Sequence, residues 1–374
     1  MDFSLSDEQR MIADTVAKVT EAAGAELSAG HAGSFSEDRW QRLAETGLLG
    51  LNVPVEMGGI GGNAVDNLVA LQAFGRGALP EPVISCAVVG AKLLALLGTD
   101  EQRQRYFPAM AEGQLRFVLA YLERGRRYDL APITTVARKT PNGWTLDGEK
   151  VTVLDAPGMT LLAVTAAILD GVSEPRLGVF LLEPDRTGMS LRAGTTLDGR
   201  AFADVVLEKV QCSADALLGS VPAVPEQVMH VLDWATAAAC FEAVGAMEML
   251  LRITANYIKT RKQFGQQLAS FQAIQHRVAD MASYLEQARS ICLHVASQLD
   301  GDDLVATARA TSAAKVMVGE AARFIGQQAV QLHGAIGITE ELAVSRYFKR
   351  LTCFEMTFGD ADYHLRRYQQ FGRH

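Results

Sequence analysis

Three stretches of different hydrophobic period divide the chain. In the first, apolar residues recur three or four positions apart. Ile12, Val16 and Val19 follow Ser6, and Gln9 three residues past Ser6 completes a capping box in which hydroxyl and amide each satisfy an orphan backbone donor. Ser36 opens a second helix with Trp40 and Leu43 on one face, and Gly47 stands where a left-handed C-cap belongs. Beyond a glycine-rich turn at 58–62, Leu68, Leu71 and Phe74 form another stripe, and 87–97 and 101–107 continue it. The expectation is a helical N-terminal domain over 1–115.

From 116 to 215 the period changes to two. Apolar or β-branched runs at 117–122, 134–137, 144–146, 151–154, 161–166, 177–182 and 205–210 predict short strands. Asn142-Gly143 and Asp147-Gly148 supply the positive φ angles of tight hairpins. Strands at this spacing without long intervening helices predict a small barrel or sandwich rather than a parallel sheet. The helical period then returns over 222–374. Phe271, Ile274, Val278, Met281 and Leu285 share one face of a helix running toward Leu299, and Gly301-Asp302-Asp303 breaks it. A helix over 306–331, a last helix from Glu340 toward Arg350 and a turn at Gly359 complete an antiparallel bundle.

Composition narrows the function. The 374 residues are 49% apolar, and 35 basic against 43 acidic side chains give a net charge of −8, the wrong sign for a general nucleic-acid binder. No uncharged apolar run approaches the roughly 18 residues of a membrane span, and Met1-Asp2-Phe3-Ser4 opens no signal core. Five scattered cysteines lack metal-ligand spacing, so no metal site is expected. The expectation is a cytoplasmic, reduced protein with neither membrane nor nucleic acid as partner.

Three segments are candidates for chemistry. Gly59-Ile60-Gly61-Gly62-Asn63-Ala64 fits the phosphate-cradling GxGxxA pattern, but Pro54 precedes it and a helical pattern follows, so it reads as a loop between helices. Lys259-Thr260-Arg261-Lys262-Gln263-Phe264-Gly265 is a basic cluster at a helix break. It suits either a solvated surface or a diphosphate beside a flat ring. Gln331-Leu332-His333-Gly334-Ala335-Ile336-Gly337 follows a helix closely, and its small residues let a ligand approach the backbone or simply end the helix. No Ser/His/Asp or Cys/His set emerges from spacing. The residues alone indicate a three-domain protein able to bind an anionic planar ligand.

Arg261 to Gly265, Phe271-Gln272-Ala273-Ile274-Gln275 and Ala279-Asp280-Met281, in that order, resemble the first signature of the acyl-CoA dehydrogenase family, and Gln331 to Gly337 resembles its second. Asp7-Glu8-Gln9, Gly47-Leu48-Leu49-Gly50 and Gly58-Gly59 also match, so the resemblance spans essentially the whole chain. Tyr257 to Gly265, Gln275-His276-Arg277 and Phe358-Gly359-Asp360-Ala361-Asp362 are most similar to the small subunits of pimeloyl-CoA dehydrogenases. The resemblance implies a mainly α fold with a helical N-terminal domain, a middle β-barrel domain and a C-terminal four-helix bundle. It implies FAD, contacted by Arg261, Gln263, Phe264 and Gln272, with Gln331, Leu332, His333, Gly334 and Ala335 binding the FAD of a neighbouring subunit, the two signatures coming from different chains. It also implies α,β-desaturation of an acyl-CoA substrate, and reoxidation by an electron-transfer flavoprotein.

The chain departs from the family pattern where the chemistry sits. The C-terminal catalytic glutamate position falls on Phe358 and the alternative position on Ala235, neither of which accepts a proton. The flavin-contacting Thr of a Thr-Glu-Pro motif is replaced in Leu122-Glu123-Arg124, and the following Gly-Ser-Asp reads Arg127-Tyr128-Asp129. Two expectations follow. Either a displaced carboxylate, Asp360 or Glu242, is the base, or the chain is a small subunit that completes the FAD site of a homologous larger dehydrogenase subunit.

Overall fold

The computed structural model describes residues 5–27, 33–131, 133–169, 176–220 and 222–371, so the first four residues, read above for a signal core, lie outside it. Five helices open the chain: α1 (Asp7–Glu26), α2 (Glu37–Glu45), α3 (Ala64–Gly75), α4 (Ala91–Leu97) and α5 (Asp100–Ala111), with a π-helical stretch over Ile84–Gly90 leading into α4. The capping box at Ser6 and Gln9 is formed, and Gly47 has φ 80° just after α2. The 58–62 segment is a loop, as expected. A Cβ on Gly59 would lie 2.1 Å from the Val53 carbonyl oxygen, so this glycine serves chain packing.

Seven strands form one curled sheet: β1 (Phe117–Ala120), β2 (Val136–Thr140), β3 (Gly143–Leu154), β4 (Leu161–Leu169), β5 (Arg176–Leu182), β6 (Met189–Thr195) and β7 (Ala201–Cys212). Most neighbours are antiparallel, but β4 runs parallel to both β1 and β2. The runs at 144–146 and 151–154 are one long strand. Asp147-Gly148, expected to turn, is instead an irregularity within β3 where its register against β7 shifts. Strand β6 carries almost no buried side chain, so hydrophobic period does not reveal it.

The unbroken apolar runs in this sheet have a physical cause: both faces are covered. Phe117, Leu119 and Tyr121 join the core shared with the helices, whereas Val118 and Ala120 point into the sheet's own core. The same alternation sorts Leu161 and Ala163 from Leu162 and Val164.

The C-terminal bundle consists of α6 (Pro225–Thr260), α7 (Gln272–Leu299), α8 (Leu304–His333), α9 (Ala343–Met356) and α10 (Ala361–Gln370). Helix α10 is absent from the sequence-level expectation, and α9 begins later and runs further than the 340–350 segment. Helix α6 is apolar and long enough to cross a membrane by composition. It is instead the central core helix, with 89% of its most apolar window buried. It meets α3 at backbone distance: a Cβ on Gly245 would lie 1.9 Å from the Gln72 carbonyl oxygen, and one on Gly75 would lie 2.0 Å from that of Glu242.

Candidate functional site

A cavity of about 310 Å³ opens where the sheet meets the bundle, walled by Val89, Leu122, Val151, Leu154, Leu232 and Phe358 among others. Among the described residues, no Asp or Glu lines it. Two of its walls, at Leu122 and at Phe358, are positioned by buried polar contacts. Glu123, next to Leu122, accepts hydrogen bonds from the Thr134 and Thr135 amides (2.6 and 2.9 Å) and from Lys150 Nζ (2.7 Å). Burial pushes the Glu123 carboxyl up, but the Lys150 ammonium and the Thr134 donors outweigh it and hold it at about 2. Burial brings Lys150 down to about 8, with Glu123 pulling the other way.

The opposite wall is the turn after α9. Phe358 has φ 58°, a left-handed conformation unusual for a bulky residue. Lys315 Nζ donates to the carbonyls of Phe354, Glu355 and Gly359 at 2.7, 3.2 and 2.9 Å, and His364 Nε2 lies 3.1 Å from the Phe358 carbonyl. A Cβ on Gly359 (φ 120°) would lie 2.5 Å from His364 Nε2, so glycine is required there. Sequence reasoning missed Lys315 and His364. Lys315 stood out only as a lysine among the small, apolar residues of α8.

The two carboxylate candidates sit outside the cavity lining. Asp360 is the N-cap of α10, accepting from the Tyr363 amide at 2.8 Å, and its carboxylate lies 3.8 Å from Arg127. Glu242 is buried and 3.2 Å from Arg350, which also contacts Asp198 at 3.0 Å and donates to the Leu79 carbonyl at 2.6 Å. Arg200 and Asp155 (2.7 Å) extend this buried ionic cluster, which pins α6 and α9 to the sheet.

The remaining candidates gather at the far end of the bundle. Arg261 ends α6, and Lys262–Gln263 pairs with Gln266–Gln267 in a two-stranded hairpin (β8 and β9) turned at Phe264 and Gly265, with φ 53° and 81°. Phe264 is 89% exposed, while Arg261, Gln263 and Gln272, the first residue of α7, are exposed as well. Arg261 makes no ion pair among the described residues. In the second signature Gln331, Gly334 and Ala335 are exposed, whereas Leu332 and His333 are buried. The structure sets the two signatures side by side in one chain: Tyr257, one turn before Arg261, stacks on His333 with ring centroids 4.2 Å apart. His333 Nδ1 lies 2.8 Å from the Ala329 carbonyl, and its buried Nε2 has no hydrogen-bond partner among the described residues.

Helix α6 separates hairpin from cavity. Positions 232 and 261 are 29 residues apart, about 44 Å of α-helix.

Both ends of the fold match one family. The description "Acyl-CoA dehydrogenase, N-terminal domain" fits residues 6–114 and "Acyl-CoA dehydrogenase, C-terminal domain" fits 226–371, together more than half of the chain. The chain belongs to the acyl-CoA dehydrogenase family. It is similar to the probable acyl-CoA dehydrogenase YngJ of Bacillus subtilis, 29% identical over 97% of each chain. It is also similar to the caffeyl-CoA reductase–Etf complex subunit CarC of Acetobacterium woodii, 27% identical over 87% of each. In fold it resembles the ChsE4–ChsE5 complex of Mycobacterium tuberculosis, with a TM-score of 0.86, 22% identity and coverage of 99% and 98%.

Members of this family bind FAD. The hairpin fits the nucleotide half of that group: an exposed aromatic ring on an ordered turn, beside the exposed guanidinium of Arg261 and the exposed amides of Gln263 and Gln272. The cavity walls Leu122 and Leu154 offer the ring apolar contact, and neither side chain can donate a hydrogen bond.

Proposed function

We propose that this chain is the smaller, base-lacking subunit of a heteromeric acyl-CoA dehydrogenase, of the kind that pimeloyl-CoA dehydrogenase small subunits represent, and that a homologous larger subunit carries the catalytic carboxylate. One observation carries this reading: among the described residues no carboxylate lines the cavity, and Phe358 and Ala235 stand at the two positions where the family places its base. A general base typically contributes a factor of about 100 to 10,000, so its absence silences proton removal while leaving binding intact.

Asp360 and Glu242 are engaged elsewhere. An N-cap carboxylate facing Arg127 and a buried carboxylate on Arg350 are each turned toward a cation and away from the cavity lining. FAD, when bound, supplies the hydride acceptor. What this chain contributes is the nucleotide grip: Arg261, Gln263, Phe264 and Gln272, joined by Gln331, Leu332, His333, Gly334 and Ala335, reach the FAD of a neighbouring subunit. The length of α6 supports this, because about 44 Å exceeds the reach of one FAD from hairpin to cavity of the same chain. The adjacency of the two signatures supports both serving the same flavin. Two similar proteins, CarC and the ChsE4–ChsE5 pair, carry multi-subunit assemblies in their names, which also supports a partner. An electron-transfer flavoprotein is the proposed electron acceptor.

The test is anaerobic titration of the purified chain with acyl-CoA thioesters, alone and co-expressed with its homologous larger subunit. The chain alone should show a perturbed but unbleached flavin spectrum, and the pair should bleach. Replacing the partner's glutamate should abolish bleaching. Ordinary turnover by the chain alone, lost in Asp360→Asn or Glu242→Gln, would place the base here and overturn the proposal.

A further inference from the structure

The cavity has a larger neighbour. A groove of about 810 Å³ runs beside it, and the two share one lining residue, Tyr128. They follow the same elements side by side. On α6, Leu232 faces the cavity and Asp233 the groove; near the C-terminus, Phe358 faces the cavity and Tyr363 the groove. The groove is charged where the cavity is apolar. Four arginines and three carboxylates line it; Arg367 is taken by Asp233 and Arg127 by Asp360, whereas neither Arg126 nor Arg366 makes an ion pair among the described residues.

Tyr128 is held in the wall between them. Its ring packs against Tyr363 with centroids 5.4 Å apart. Arg127, immediately before it, turns the loop with φ 51° and reaches the Asp360 carboxylate at 3.8 Å, tying the loop to the start of α10.

We propose that Tyr128 closes the passage between groove and cavity. The groove then holds the phosphate-bearing end of a coenzyme A thioester, through the unpaired guanidiniums of Arg126 and Arg366, while the acyl tail is kept out of the cavity. Tyr128 is thus a specificity-determining side chain that makes this chain's affinity indifferent to the acyl group. The inference rests on the thioester being the ligand, and not on the partner subunit.

Calorimetric titration of the purified full chain with coenzyme A, butanoyl-CoA and octanoyl-CoA tests it, in the wild type, Tyr128→Phe and Tyr128→Ser. The wild type and Tyr128→Phe should bind all three with the same affinity to within about twofold, because no tail methylene leaves water. Tyr128→Ser should bind octanoyl-CoA about tenfold or more tighter than coenzyme A, because the tail now enters an apolar cavity. Affinity that climbs with chain length in the wild type overturns the proposal, and so does failure of all three compounds to bind. A folded Tyr128→Ser, shown by an unchanged melting temperature, that gains no chain-length preference overturns it too. Should that variant not fold, the wild-type series decides alone. A chain-length trend without flavin bleaching would sink this inference and leave the subunit reading standing, whereas bleaching by the chain alone would sink the latter.

Discussion

Lys315 Nζ lies 2.9 Å from the Gly359 carbonyl oxygen, beneath the turn that presents Phe358 to the cavity. The same ammonium holds two of the last carbonyls of α9, groups that a helix end cannot satisfy internally. Lys315→Met would strand three acceptors, two of these bonds being buried. At about 1–3 kcal/mol for each buried group left unpaired, the loss should be on the order of 3 kcal/mol or more in urea denaturation. A loss below about 1 kcal/mol would show that the turn holds itself.

His364 gives the turn an acid limit. Burial, with Lys315 nearby, brings its imidazole down to about 3 from the ordinary 6.5. The unfolded chain therefore binds the proton more readily between those values. The stabilisation from neutral His364 is complete above pH 6.5 and is lost as pH falls below it, at up to about 1.4 kcal/mol per pH unit. Melting temperatures from pH 7 to pH 5 should fall more steeply in the wild type than in His364→Gln. Parallel curves would refute the assignment.

Flavin retention should depend on the exposed hairpin. Arg261→Ala would remove the proposed charge-assisted contact, worth about 1.5–3 kcal/mol, so FAD should dissociate roughly ten- to a hundredfold more readily while the melting temperature of the apoprotein stays put. Absorbance at the flavin band after gel filtration reads this directly, and full occupancy in the variant would remove Arg261 from the site.

The buried ionic cluster should be structural. Arg350→Met leaves Glu242 and Asp198 without their shared cation, at a cost of about 3–5 kcal/mol. Asp360→Ala, which removes only an N-cap and a partly exposed pairing, should cost about 0.5–2 kcal/mol. Reversal of that order in chemical denaturation would mean that the cluster is largely water-screened.

Gly245→Ala probes the crossing of α3 on α6. The added methyl would overlap the Gln72 carbonyl, and the two helices would have to separate. Destabilisation of about 1–3 kcal/mol or more is expected from such overpacking, measurable as a lowered melting temperature. An unchanged value would mean that the crossing can slide.

Much of this was legible in the sequence because hydrophobic period reports burial on one face. The stripe on α7 and the capping box at Ser6 are cases where local pattern and tertiary packing agree. Strand β6 was not legible, since its side chains are largely solvated. The Asp147-Gly148 pair looked like a hairpin because its φ requirement is the same in a bulge as in a turn; only the partner strand β7 decides between them. The site divides in the same way. Motif residues at 261–265 and 331–337 could be read in order. The roles of Lys315, His364 and Tyr128 come from contacts between segments tens of residues apart, which leave no trace in spacing.

The reach of α6 has a consequence for counting. On the proposed assignment, the chain's nucleotide grip lies at one end of α6 and its cavity about 44 Å away, so its two halves do not meet. Complete sites are then a property of junctions. When two unlike chains alternate, the junctions come in two kinds: one joins this chain's grip to the other's cavity, and one does the reverse. Flavin content and turnover need not scale together in such an assembly. An assembly filled to capacity with cofactor can still work at only half of its junctions, and the idle half marks where this chain's cavity lies.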